Sequence, residues 1–311
     1  MIRVVKPRFG IGLFTFPLDN SRGTDYTSYL HKYLDALPEE YESAWIPDHL
    51  IPSIEPLNRD YLECLTTTSY LLPQYPNLKF GQIVLCNNFR NPALLAKMSS
   101  TLQVLSGGRF ILGIGAGWKQ EEYKQYGYDY PSSRTRIKQL EEAVQIIKMM
   151  WEEDGVTFHG KHYRVENVYC NPKPVPVPPI MIGGAGEKYT LGVVARYADW
   201  WNVDTHTSID EYIHKLSVLE GHCDRVGRDS GDILKTQLQI VTIAESDEEA
   251  EKVVESNGLK RYVRIAGSPE TVTHRLSEFK DAGIEYFIII LLPFRNPELT
   301  KIFAEKVIPN I

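Results

Sequence analysis

The stretch Leu105-Ser106-Gly107-Gly108-Arg109-Phe110-Ile111-Leu112-Gly113-Ile114-Gly115-Ala116-Gly117-Trp118 decides how the rest of this chain reads. A helix ends at Gly107-Gly108 and a short apolar strand follows at once. That strand then gives up its side chains at Gly113, Gly115 and Gly117. Glycine weakens a strand interior unless something approaches the backbone closely. Alternate positions share one face of a strand, so one face is stripped where this strand ends. A flat or phosphorylated ligand lying against main chain accounts for that, and so does close packing of a neighbouring helix. The spacing is not the dinucleotide fingerprint Gly-x-Gly-x-x-Gly, because counting from Gly113 puts Trp118 at its last position.

Further strand-like runs lie near 10–14, 43–46, 78–85, 110–114, 180–182, 200–203, 234–243 and 285–292. Helical patterns separate them. Leu94, Met98, Leu102 and Leu105 mark one face, Ile137, Leu140, Val144, Ile147 and Trp151 another, and Val272, Leu276 and Phe279 a third. Ser268-Pro269-Glu270 opens the last of these with an N-cap and a first-turn proline. Strands alternating with helices over 311 residues predict an α/β fold, a (β/α)8 barrel forming one domain over 1–311. An insertion spans about 119–178: a long helix, a hairpin around His159-Gly160-Lys161, and a proline-rich lead-in from Pro172 to Pro179.

Composition narrows the function classes. Apolar content of 43% and charged content of 24% are ordinary for a globular protein. A net charge of −6 with scattered Lys and Arg argues against nucleic-acid binding. Cys64, Cys86, Cys170 and Cys223 show no zinc or redox spacing, so free thiols in a reduced, cytoplasmic setting are expected. No run nears the roughly 20 apolar residues of a membrane span, and the N-terminal run is too short for a signal peptide.

Active groups of such barrels sit where strands end. Asp48-His49, closing the second strand, offers proton transfer near neutrality or a plain turn with a capping aspartate. Gly183-Gly184-Ala185-Gly186 lies between a strand and a helix and offers backbone amides to an anion, or simply a tight turn. Arg109 reads as an ion-pair residue at the floor. Trp118, Trp200 and Trp201 can wall a pocket or pack at the rim, and His206 can meet substrate or sit in a solvated loop. His159 and His162 have a metal-like spacing but no acidic third ligand, so no metal is expected. No serine-hydrolase elbow, Walker loop or zinc-protease motif is present.

Together these residues resemble the luciferase-like flavin-dependent oxidoreductases. The resemblance is carried by Ser106–Phe110, by the glycine strand through Trp118, and by Glu122-Tyr123 and Glu141-Glu142-Ala143. Trp151, Phe158-His159-Gly160, Pro178-Pro179-Ile180 with Gly183-Gly184, and Arg196-Tyr197-Ala198-Asp199 complete it. It implies a TIM barrel with a flavin or deazaflavin at the C-terminal mouth. Pro47-Asp48-His49 looks like the branch that uses the deazaflavin coenzyme F420, in which the histidine sits by the ring and the aspartate helps bind it. That branch often carries a non-proline cis peptide in a bulge on the third strand, here near Ile83-Val84. The resemblance further implies that Gly115, Ala116 and Gly117 line the cofactor, and that Gly183, Gly184, Ala185 and Gly186 take its anionic tail. The sugar-phosphate dehydrogenases of that branch place a glutamate directly after the Gly-x-Gly element, where this chain has Trp118.

The expected function is hydride transfer between F420 and a small organic substrate, with His49 moving the proton. An FMN-dependent monooxygenase and a non-catalytic flavin-binding barrel are the alternatives. A homodimer is implied by the resemblance alone.

Overall fold

The computed structural model describes residues 6–14, 24–52, 58–256, 260–293 and 296–311. The strands are β1 (Arg8–Gly12), β2 (Tyr41–Ile46), β3 (Lys79–Gln82), β4 (Leu85–Cys86), β5 (Phe110–Gly115), β6 (Val156–His159), β7 (Arg164–Val168), β8 (Ile180–Gly183), β9 (Trp200–Val203), β10 (Leu234–Ile243), β11 (Ile265–Gly267) and β12 (Tyr286–Leu292). The helices are α1 (Thr24–Asp35), α2 (Cys64–Leu71), α3 (Pro92–Leu105), α4 (Gln120–Gln125), α5 (Ser133–Glu152), α6 (Thr190–Tyr197), α7 (Ile209–Val226), α8 (Asp247–Ser256), α9 (Pro269–Asp281) and α10 (Pro297–Lys306). Parallel pairing runs β1-β2-β3-β5-β8-β9-β10-β12 and returns to β1, closing the expected eight-stranded barrel. β11 flanks the outer half of β10. β6 and β7 form the antiparallel hairpin expected in the insertion.

Parallel barrel strands are buried on both faces, and the alternation shows how each face is used. Phe9, Ile11, Phe110, Leu112, Ile114, Phe287, Ile289 and Leu291 face the helices in the main core. Trp45, Ile111, Met181, Tyr286 and Ile288 fill the barrel itself, with Trp200 and Leu234 packed against them. One large ring needs small neighbours: a Cβ at position 10 or 81 would lie 2.4 or 2.3 Å from the Trp45 indole.

The third barrel strand is broken where 78–85 reads as continuous. β3 pairs with β5 at Phe80 and Gly81, and β4 resumes pairing at Leu85 and Cys86. Between them lies Ile83-Val84, whose peptide bond is cis, as the resemblance implies. Gly113 takes its reason from this break, since a Cβ there would sit 1.8 Å from the Gln82 carbonyl oxygen.

Three expectations change. Arg109 makes no ion pair among the described residues: its guanidinium donates to the carbonyls of Leu72, Tyr75, Leu78 and Ser106, gathering a turn and a helix end at the floor. On α3 the buried face is Leu95, Ala96, Ser99, Leu102 and Gln103, while Leu94 and Leu105 point outward at 55% and 75% exposure. Apolar spacing alone put them on one stripe, but Leu95 and Ala96 supply the true contact. Trp200 opens β9 and packs, half-buried, on Trp45 and Tyr286 of the barrel interior, and Trp201 stacks on Tyr212 outside it. Only Trp118, 68% exposed, remains a rim tryptophan among the three.

Gly113→Ala is expected to destabilise the protein by about 1–3 kcal/mol, the usual cost of forcing an atom into a packed interior. Gly221→Ala, inside α7 with nothing near its Cβ direction, should instead stabilise by about 0.5–1 kcal/mol. Urea unfolding of both variants tests this; equal midpoints would remove the packing role of Gly113.

Candidate active site

Asp48 and His49 leave the end of β2 in opposite directions. Asp48 is buried with no exposed side-chain surface. Arg90 donates to both its oxygens at 2.8 Å, and the Cys86 amide adds a third bond at 2.8 Å. The same guanidinium reaches Glu63, whose carboxylate caps α2 through the Leu65 and Thr66 amides. Burial pushes the Glu63 carboxyl up, but the Thr66 and Arg90 hydrogen bonds and the Arg90 charge outweigh it and hold it below the usual range. Burial likewise disfavours the Arg90 charge, and its two carboxylate partners more than restore it. This node ties the β2 end, the start of α2 and β4 into one rim.

His49 turns to α4. Its Nδ1 lies 2.9 Å from Glu122 Oε1, an oxygen that also accepts from the Leu50 and Ile51 amides at 3.1 and 3.4 Å. Lys119 Nζ stands 3.9 Å from the same oxygen and donates to the Pro52 carbonyl. The Trp118 and Tyr61 rings meet the imidazole edge-on at 5.9 and 6.2 Å. Glu122 is enclosed while His49 keeps some exposure, so the histidine is the open member of the pair.

The two glycine segments are brought together. Gly115 pairs with Gly183 across β5 and β8, but the space above them is already used. A Cβ on either would lie within 3 Å of the Val84 side chain. The stripped face therefore first receives the bulge residue, a cause that neither the ligand nor the helix reading supplied. Gly117, at φ +74°, gives room to the Tyr123 hydroxyl and the Cys86 thiol, which lie 3.0 Å apart. Burial pushes that thiol up to about 11. Ala116 packs against the main core.

At the next strand end, Gly184 adopts φ +122° and its amide bonds the Asn202 carbonyl. Thr190 crowds Gly186, and Tyr189, the N-cap of α6, offers no side-chain cap. Arg134 and Lys188 both lie over the Tyr189 ring, at 5.4 and 5.5 Å, so two cations attend this turn. Elsewhere, His206 accepts from Arg264. His159 lies by Glu166, and Glu142 holds the His162 amide in the hairpin. No group of three or more His, Cys, Asp or Glu side chains gathers for a metal among the described residues.

Arg90, Glu63, Glu122 and Lys119 organise the rim, and residue-type reasoning gave none of them a role. Glu122 was visible only as part of a motif; Arg90, four residues past the end of β4, carried no signal of its own.

The chain belongs to the luciferase-like monooxygenase family, whose model matches residues 39–286, and it is an oxidoreductase by that membership. It is 30% identical to an F420-dependent glucose-6-phosphate dehydrogenase of Kineococcus radiotolerans over 63% of this chain, spanning 58% of that relative. The namesake from Amycolatopsis mediterranei is 25% identical over 87% of this chain and 90% of its own length. An FMNH(2)-dependent dimethylsulfone monooxygenase of Pseudomonas putida is 25% identical over 71% of this chain and 58% of its own. Among solved structures, an F420-dependent secondary alcohol dehydrogenase in complex with an F420-acetone adduct superposes with a TM-score of 0.83 at 20% identity, covering 98% of this chain and 99% of that one. No helix of the described residues is long and apolar enough to cross a membrane.

Because the Glu63 carboxyl is held low when folded, its stabilising effect is present above the ordinary carboxylate range and is lost as pH falls through its folded value. Acid unfolding followed by circular dichroism should therefore be less steep in Glu63→Gln. Arg90→Met strands Asp48 without its cation and is expected to cost about 3–5 kcal/mol. A wild-type melting profile for Arg90→Met would sink the rim-node account.

Proposed function

We propose that this protein moves a hydride between coenzyme F420 and a small organic substrate at the C-terminal mouth of the barrel. The observation that carries this is the placement of His49 on Glu122, at the rim of a strand adjoining the Ile83-Val84 bulge. Val84, seated over Gly115 and Gly183, and its neighbour Ile83 suit the face of a flat ring, with Ala116 and Gly117 continuing the strand end beside them. The Gly183–Gly186 turn, with its uncapped helix start and attendant Arg134 and Lys188, suits an anionic tail. When bound, the deazaflavin supplies a carbon centre for two-electron hydride chemistry.

The chain supplies position and the proton. His49 would exchange a proton with the substrate, and Val84 would lie against the bound ring. Asp48, its side chain fully enclosed and held by Arg90 and the Cys86 amide, acts as a brace for the β2 end, and direct contact with the cofactor falls to its neighbours. An FMN-dependent monooxygenase is the second reading, supported by the dimethylsulfone monooxygenase relative. The four cysteines are free and buried, which suits a reduced, cytoplasmic setting.

Pairing with a second copy belongs to the same proposal. α3 carries the outward Leu94, Val104 and Leu105, and its Ser100 and Gln103 hold the segment that bears the exposed Val175 and Val177. Light scattering on the wild type and on Leu105→Glu should show a dimer and a weakened dimer; a wild-type monomer ends this part.

Titration with F420 and with FMN, followed by tryptophan quenching at Trp118, should saturate with F420 and not with FMN. His49→Ala should lower turnover by roughly 10²–10⁴ while F420 still binds. FMN binding with oxygen uptake, and no response to F420, would hand the site to the second reading.

A further inference from the structure

The role given to His49 leaves its buried partner unassigned. Glu122 Oε1 receives three N–H groups, from Leu50, Ile51 and His49 Nδ1. Backbone amides only donate, so this oxygen is an acceptor, and the imidazole nitrogen facing it carries the hydrogen. Lys119 places a positive charge 3.9 Å from the same atom. Among the described residues the rings of Tyr61 and Trp118 also meet His49 edge-on, while Asp48 is turned away and matched by Arg90.

Resting on the reading above, the geometry points to Glu122 as a positioning residue. It fixes the proton on His49 Nδ1 and leaves Nε2 as the nitrogen that exchanges a proton with substrate. This chain has Trp118 where an acid follows the Gly-x-Gly element in the sugar-phosphate dehydrogenases. The carboxylate stands instead behind the imidazole, four residues further on. A proton arriving at Nε2 creates an imidazolium whose charge Glu122 meets across Nδ1–H, the logic by which a buried carboxylate sets a catalytic histidine's tautomer.

The test does not need the cofactor. In protein labelled with ¹⁵N-histidine, His49 should show a protonated Nδ1 and a bare Nε2 in its neutral form. In Glu122→Ala it should become a mixture of the two tautomers. Glu122→Gln separates charge from orientation, because the Leu50 and Ile51 amides demand an oxygen in the same place. That variant should keep the tautomer, lower kcat by roughly 10- to 1000-fold and leave KM little changed. A wild-type proton on Nε2, or a tautomer unmoved in Glu122→Ala, overturns the assignment, as does full activity of Glu122→Gln. Full turnover in His49→Ala instead removes the proton-transfer role of His49, and the nitrogen shifts then decide the orienting role independently.

Discussion

The carbonyl of Gln82 lies where any side chain at position 113 would be, and much of the mouth follows from that contact. With glycine there, the third barrel strand has room to break beside β5, turn Val84 inward and resume at Leu85. Val84 then settles over Gly115 and Gly183, the paired ends of two neighbouring strands. A bulge of this kind re-aims side chains next to functional sites. Here it converts two naked strand ends into a shallow apolar seat, and it delivers the Cys86 amide to Asp48.

The neighbouring residues Asp48 and His49 show how one strand end serves two purposes. Extended chain sends successive side chains to opposite sides, and each finds a different counter-charge. Asp48 goes into a closed cluster with Arg90 and Glu63, where enclosure and bidentate geometry make it rigid. His49 goes to a half-open site backed by Glu122, where one ring nitrogen is fixed and the other is available. Asp48 thereby holds the loop from which His49 projects.

The barrel was legible because its strands are apolar on both faces and its helices carry clear caps, such as Ser268 before Pro269. The glycine segments were legible as places of close approach, and the structure does set Gly115 against Gly183. What approaches them was not legible, since a bulge on another strand leaves no mark in the glycine stretch itself. Burial within α3 was misread because periodicity counts leucines and cannot see that Ala96 and Ser99 fit the tighter contact. Arg109 was placed at the correct end of the barrel but given the wrong partners, as carbonyl acceptors have no signature in side-chain composition. The Arg90 node and the Glu122 contact join residues 42 and 73 positions apart, respectively, to the same loop. Such long-range pairings become visible only once strand order brings their loops together.

The two ends of the cylinder are fastened by different chemistry. Below, Arg109 grips neutral peptide oxygens with a guanidinium that keeps its charge across the ordinary pH range. Above, the fastening depends on carboxylates that protons can switch off. Acid strong enough to protonate Glu63, whose carboxyl is held below the usual range, should thus loosen the upper end while leaving the foundation intact. Substitutions that retune the upper loops have a base that does not share their electrostatics.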